Sequence, residues 1–389
     1  MKICIICSRL SFGGAERVAV AWANGFSQKG HEVMVITNLY DPITYQLDEK
    51  IAVRHLVSTN QNKFKKWLGA FGEVRRNLKE FQPKAVIGVL PTCSFVARAA
   101  SIGLHIPVIA TEHDSFERPK SAPFSFMDKV LKFWLNKIYR NVTVLTKADK
   151  DVIAKKLAHV QIMPNPLALK PLLSISPKKQ VILAAGRLDA WHYKGFDNLI
   201  RAWGQVNEEL KIDNGKSSSI IEPWKLQIAG TGSKESLNYL KKLCKENDVE
   251  DSVDFLGFQK NIEKLYQEAS IFVLSSRYEG FGLVLIEAMS QGCACVACDY
   301  KGRQKEILSS SGDERRKKKD EKSGIEVTEN GILCEPDNAD ALAEAIKKMI
   351  EDNEYREGIR AKAIERSKYY SIENTIERWE KLLYEVVNK

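Results

Sequence analysis

"KICIICSRLSFGGAERVAVAWANGFSQKGHEVMVIT", residues 2 to 37, divides into three pieces with different apolar spacing. KICIIC is a short apolar run of strand length. A glycine turn follows, and then ERVAVAWANGFSQKG places its apolar residues at helical intervals. HEVMVIT returns to a strand. Strand, helix, strand within one short stretch is a βαβ unit, and a helical crossover implies that the two strands lie parallel.

The pattern extends outward. AVIGVL (85–90), PVIAT (107–111) and VTVLT (142–146) continue the strand series, and Thr146-Lys147-Ala148-Asp149 has the form of a helix N-cap with an acid in the first turn. PNPLALKPLLSISP then carries Pro164, Pro166, Pro171 and Pro177, which neither a helix nor a central strand accommodates, so it reads as a linker. A second series begins beyond it: VILAAGRL, the helical FDNLIRAW, KLQIAG, SVDFLG, IFVLSS and CACVACD. The expected architecture is α/β, with two Rossmann-like doubly wound domains at 1–168 and 176–370 facing a central cleft, the usual ligand position. SSSGDERRKKKDEKSG (309–324) reads as a solvated loop insertion. In the last helix Ile372, Ile376, Trp379, Leu382, Leu383 and Val386 share one face, which must dock on a domain.

Bulk composition excludes several classes. A length of 389 residues fits about two domains, and 44% hydrophobic with 28% charged residues fits a globular chain. No apolar run reaches the roughly 18 residues of a membrane span. MKICIICSRL is too short and too soon polar for a secretory signal. The eight cysteines show neither a disulfide framework nor zinc-knuckle spacing, so reduced, partly buried thiols in a cytoplasmic protein are expected. Residues 1–170 hold 25 Lys and Arg against 13 Asp and Glu, which concentrates the net charge of +9 in the first half. That half should face something anionic: membrane phospholipid, a phosphorylated acceptor or nucleic acid.

"SSRYEGFGLVLIEAMSQG" (275–292) follows a strand and sets Glu279 and Glu287 eight positions apart. A helix starting near Phe281 would aim its first-turn amides and positive dipole end at a ligand, with Gly280 and Gly282 permitting close approach. This outlines a phosphate site. Glu287 would reach ribose hydroxyls from about 7 Å along the helix, and Glu279 would lie near a sugar. A capping acid and a surface glutamate explain the same spacing. "AAGRLDAWHYKGFDNLI" (184–200) adds Arg187 at a strand end and Lys194 before a helix, cations suited to the charge growing on a diphosphate leaving group. Gly13 and Gly14 turn the chain before Glu16 and Arg17 open the first helix. His113, in "VIATEHDSF", follows another strand and serves a ligand or its own fold.

Taken together, these elements resemble the retaining glycosyltransferases of family 4, which have the GT-B fold. The resemblance covers the whole chain and rests on Glu279 and Glu287, Arg187 and Lys194, the GGAER turn, the histidine of TEHD and the PNP linker. It is closest to bacterial members that extend lipid-linked glycans, capsule or lipopolysaccharide. It implies that Arg187 and Lys194 hold the donor diphosphate, Glu287 the ribose, and Glu279 the transferred sugar. It further implies that the amides of Phe281, Gly282 and Leu283 touch phosphate or sugar, that Gly14 lies beneath the diphosphate, and that His113 contacts the sugar. The helix at about 371–389 is expected to return to the N-terminal, acceptor-binding domain, leaving 176–370 as the donor domain. The segment from Arg187 to Lys194 exceeds the family spacing by carrying Trp191, His192 and Tyr193.

No cofactor or metal is expected beyond a nucleotide-sugar co-substrate, with UDP the family's commonest nucleotide. Cations and amides take the role of an ion, and Asp149-Lys150-Asp151 reads as a cap. The expected reaction is front-face attack by an acceptor hydroxyl, whose proton goes to the departing phosphate oxygen. "NKFKKWLGAFGEVRRNLKEF" (62–81) and "FSFMDKVLKFWLNKIYR" (124–140) interleave aromatics with Lys and Arg. They suit an anionic membrane surface, and so a lipid-linked glycan acceptor at the inner face of the membrane; packing on their own domain explains the apolar stripes equally well. A glycosyltransferase using a soluble carbohydrate acceptor is the alternative. A glycoside hydrolase has no use for the cations, and no nucleic-acid recognition motif is present.

Overall fold

β1 (Lys2–Ile6), β2 (Glu32–Asn38), β3 (Ala52–Leu56), β4 (Ala85–Val89), β5 (Val108–Thr111), β6 (Asn141–Val144) and β7 (Val160–Ile162) form one sheet in the order 3-2-1-4-5-6-7. Every pairing in it is parallel. The central strands are apolar along their length because helices cover both faces; all five residues of β4 are buried. The structure is a computed structural model describing residues 1–11, 13–38, 43–56, 63–119, 123–154, 157, 159–214, 223–309, 318–320 and 323–388. Side chains of 63–68, 211–214 and 318–320 are outside that description, as are residues 310–317 and 321–322 of the charged run.

The chain divides into two units, Met1–Ala168 with Tyr370–Lys389, and Leu169–Tyr369. The helix Ile372–Val387 therefore belongs to the first unit. It buries Ile376, Trp379, Leu382, Leu383 and Val386, and the Trp379 ring lies 4.8 Å from that of Trp22 and 6.4 Å from that of Phe26. Gly25 permits this approach, since a Cβ there would come within 2.5 Å of Ile376 Cγ1. At the rim, His31 Nε2 lies 2.8 Å from Glu380 Oε1.

In the second unit β8 (Lys179–Ala185), β9 (Lys225–Ala229), β10 (Val253–Gly257), β11 (Ala269–Leu274), β12 (Ala294–Cys298), β13 (Lys318–Asp320), β14 (Ile325–Val327) and β15 (Gly331–Cys334) run in the order 10-9-8-11-12-15-14-13. β8 to β12 are parallel to their neighbours, as β15 is to β12, whereas the β13–β14 and β14–β15 pairs are antiparallel. The doubly wound pattern thus ends in an edge hairpin. Residues 328–330 are too few for a crossover, so β14 and β15 can only reverse direction.

The helix Lys63–Phe81 buries Val74 and Leu78 against its own unit, and Arg75 Nη1 donates to the carbonyls of Ala100 and Ile102 at 2.9 and 2.6 Å. Packing accounts for that part of its apolar stripe; the side chains of Phe64, Trp67, Leu68, Lys63, Lys65 and Lys66 lie outside the described residues. All eight cysteines are buried free thiols. Asp149 acts within a cap: its amide donates to Thr146 Oγ1 at 3.1 Å, and its carboxylate accepts the Phe116 amide at 3.0 Å.

Candidate functional site

The strand order of the second sheet reverses between β8 and β11, the position at which open α/β sheets bind ligands beyond their strand ends. Arg187 follows β8 and the 275–282 loop follows β11, so neighbouring strands deliver both segments to one sheet edge. Arg187 is exposed; its carbonyl accepts the Ala190 amide at 3.1 Å, and its side chain makes no hydrogen bond or ion pair among the described residues. The next turn is anchored by Asp189, which accepts the Ser233 amide at 2.7 Å and Ser236 Oγ at 3.0 Å. These bonds, the Ser233 amide foremost, hold its carboxyl below the usual carboxylate range.

Trp191, His192 and Tyr193 form, with Lys194, the short helix Trp191–Lys194, which ends at Gly195 with φ 64°. A Cβ on Gly195 would strike the Ser275 carbonyl oxygen at 2.0 Å, so only glycine suits both the turn and the contact. The added residues are absorbed as one helical turn. Trp191 packs on Tyr239 with ring centroids 4.3 Å apart, and the Lys194 stem passes over Gly186, whose Cβ would lie 3.2 Å from Lys194 Cγ and Cδ.

Lys194 Nζ meets Glu279 Oε1 at 2.5 Å, and Ser276 Oγ donates to the same oxygen at 2.8 Å. Arg277 fixes the loop between them. Its guanidinium donates to both oxygens of Asp197, to the His192 carbonyl at 2.6 Å and to Asp337 at 2.7 Å. Its amide donates to the Tyr193 carbonyl at 2.9 Å. Burial pushes the Asp197 carboxyl up, but the Arg277 fork outweighs it and keeps the pKa below the ordinary value. Sequence reasoning missed Arg277, Asp197 and Ser276. The one available signal was an arginine two positions before Glu279 beside an acid in a first helical turn.

The helix after this loop is Leu283–Ser290, two residues later than the spacing predicted. Gly282, with φ 96° and ψ 58°, is in the left-handed region and cannot continue a helix, so Phe281 precedes the helix with its side chain buried. No side chain caps this end, and its first turn holds no acid. Glu287 is the fifth helical residue; it is buried, and its Oε2 accepts the Tyr266 hydroxyl at 3.3 Å.

In the first unit, Gly13 adopts extended backbone at φ 169°, Gly14 is the exposed first residue of the helix Gly14–Gln28, and the Arg17 amide donates to Gly13 O at 3.1 Å. Glu16 folds back so closely that a Cβ on Gly13 would lie 2.0 Å from its Oε2, and Arg9 Nε donates to its Oε1 at 3.1 Å. The expected anion position at this helix start thus carries a carboxylate of its own. His113, two residues after β5, has both ring nitrogens engaged, Nε2 with Thr111 Oγ1 at 3.0 Å and Nδ1 with Asn165 Oδ1 at 3.1 Å. Burial lowers its pKa to about 4, with nearby Lys132 adding to the shift against the Asn165 hydrogen bond. The ring is neutral at neutral pH.

The 124–140 stretch divides differently from its sequence expectation. Lys132, counted there among the surface cations, is buried; it pairs with Glu112 at 3.4 Å and donates to the carbonyls of Asp114 and Ser115. The reason is the Glu112 carboxylate below it, which desolvation would otherwise strand. Phe126, Met127, Trp134 and Ile138 are exposed at 81, 60, 74 and 41%, together with exposed Lys129, Lys137 and Arg140. Among the described residues, no helix is long and apolar enough to cross a membrane.

Comparison with known proteins settles the family. The model described as "Glycosyl transferases group 1" matches residues 169–366, and that of "Glycosyltransferase Family 4" matches 12–170. The chain belongs to the group 1 glycosyl transferases. This glycosyltransferase is 29% identical to an uncharacterized glycosyltransferase of Haemophilus influenzae, covering 96% of this chain and 97% of that one. It is 28% identical to a Campylobacter jejuni N-acetyl-D-galactosaminyltransferase named for a diphospho-undecaprenol-linked GalNAc acceptor, covering 100 and 99%. In fold it is similar to Anabaena HepE, whose crystal structure holds UDP and glucose: TM-score 0.76, 19% identity, coverage 99 and 100%. Its architecture is that of the GT-B glycosyltransferases, with two Rossmann-like α/β domains.

Proposed function

We propose that this glycosyltransferase moves a hexose or N-acetylhexosamine from a nucleotide sugar, a UDP-sugar by preference, to a hydroxyl of a lipid-linked glycan. The observation that carries the reading is the grouping of Arg187, Lys194 and Glu279 around the β8–β11 switch point, beside the uncapped start of the helix Leu283–Ser290. Arg187 and Lys194 take the diphosphate, the amides of Gly282 and Leu283 assist, Glu287 with Tyr266 receives the ribose, and Glu279 orients the sugar. As the bond from the anomeric carbon to the phosphate oxygen breaks, these fixed charges stabilise the leaving diphosphate. The acceptor oxygen bonds to that carbon on the same face, its proton passing to the departing phosphate oxygen, so configuration is retained. Because cations already stand where charge develops, the reaction proceeds without a metal ion.

The acceptor reading is supported by the exposed group Phe126, Met127 and Trp134 with Lys129, Lys137 and Arg140, which suits an anionic bilayer interface. A cytoplasmic protein peripheral on the inner membrane face follows. The Campylobacter relative's undecaprenol-linked acceptor agrees with it. Calorimetry with UDP, GDP and ADP sugars tests the donor: UDP sugars should bind, and stabilisation by GDP sugars alone would overturn the base assignment. Flotation with vesicles of phosphatidylcholine alone or with added phosphatidylglycerol tests the surface. Binding to the anionic vesicles that Trp134→Ser and Phe126→Ser weaken is expected; negligible binding to both would favour a soluble carbohydrate acceptor.

A further inference from the structure

The pair at the centre of the site contains an apparent contradiction. A diphosphate needs Lys194, yet the structure places the Glu279 carboxylate 2.5 Å from that ammonium, in surroundings where only 15% of Glu279 and 25% of Lys194 remain exposed. Ser276 Oγ holds the same carboxylate oxygen, and the Arg277 contacts pin the loop two residues before it. Glu279 therefore stays near the phosphate position and cancels part of the charge offered there.

We propose that Glu279 sets the preference of the site for a sugar-bearing nucleotide over the bare nucleoside diphosphate that remains after transfer. The inference rests on the donor reading above. In a nucleotide sugar the terminal phosphate is esterified, and the sugar hydroxyls donate charge-assisted hydrogen bonds to the carboxylate, which offset its repulsion of the diphosphate. The bare diphosphate has no such hydroxyls, and its freed terminal phosphate, with a pKa near about 6, carries additional negative charge at neutral pH. It meets only the repulsion, at a range where a partly buried charge is felt strongly. The carboxylate thus retains the donor and releases the product.

Calorimetry on the full chain first identifies which of UDP, GDP and ADP binds. The Kd of that nucleoside diphosphate is then compared between wild type, Glu279→Gln and Glu279→Asp, with circular dichroism verifying folding. Glu279→Gln should bind the bare diphosphate about tenfold more tightly and lose much of its preference for the sugar conjugate. Glu279→Asp, which keeps the charge, should remain near wild type. Glu279→Ala serves in the same way if the glutamine variant fails to fold. Equal or weaker diphosphate binding by the uncharged variants overturns the proposal while leaving the donor reading intact. No nucleotide binding by folded wild type overturns the donor reading, and this inference with it.

Discussion

Arg277 closes a two-point fork on Asp197, Nη1 to Oδ1 at 2.6 Å and Nη2 to Oδ2 at 2.9 Å. The fork ties the loop after β11 to the start of the helix Phe196–Asn214, and so fixes the spacing of Glu279 and Lys194. Both partners are largely buried. Arg277→Ala should cost about 3 kcal/mol, the scale of leaving a buried carboxylate without its partner, and lower Tm accordingly. Arg277→Lys keeps the charge but not the fork. It should recover more stability than turnover, measurable as a kcat deficit persisting at near-normal Tm.

Lys194→Ala and Glu279→Ala should each reduce turnover by about a hundredfold or more, with only small changes in thermal stability. They should separate in nucleotide affinity, the lysine variant binding the diphosphate more weakly and the glutamate variant more tightly. Turnover in excess EDTA should equal that in added magnesium. Near-normal turnover in both variants would remove the site assignment.

His113 makes the first unit sensitive to acid. Its folded pKa of about 4 lies below the ordinary value of 6.5, so the unfolded chain binds the extra proton first. The stability contributed by the neutral ring is fully present above about pH 6.5 and is lost as pH falls toward 4. Tm measured across that window should fall more steeply for wild type than for His113→Gln. Parallel curves would show that the ring is not held neutral.

Trp379→Ala should cost about 3–5 kcal/mol by opening a cavity against Trp22 and Phe26. Chemical denaturation provides the measurement. A change below about 1 kcal/mol would mean that the helix contributes little to the first unit.

The parts of the fold legible in the sequence were those with a long apolar period. KICIIC, HEVMVIT and AVIGVL lie within β1, β2 and β4 or extend them by a residue or two, since buried parallel strands are apolar throughout. AVRHL at β3 gave no such signal, being an edge strand with partly exposed residues. The β13–β15 hairpin escaped because its strands are only three or four residues long. At the site, Lys194 and Glu279 were legible as separate charges, and the structure joins them. Arg277 was not, because a loop arginine has no periodicity and its partners Asp197 and Asp337 lie far away in sequence. The burial of Lys132 was equally hidden, since a helical run of lysines does not reveal which of them faces an internal carboxylate.

The contact between His31 and Glu380 joins positions 349 apart in the chain. During synthesis, the whole second unit leaves the ribosome before Trp379 can cover Trp22 and Phe26. The first unit must therefore wait with that apolar surface open to chaperones and to aggregation. Shortening the chain from its far end would damage the unit made first.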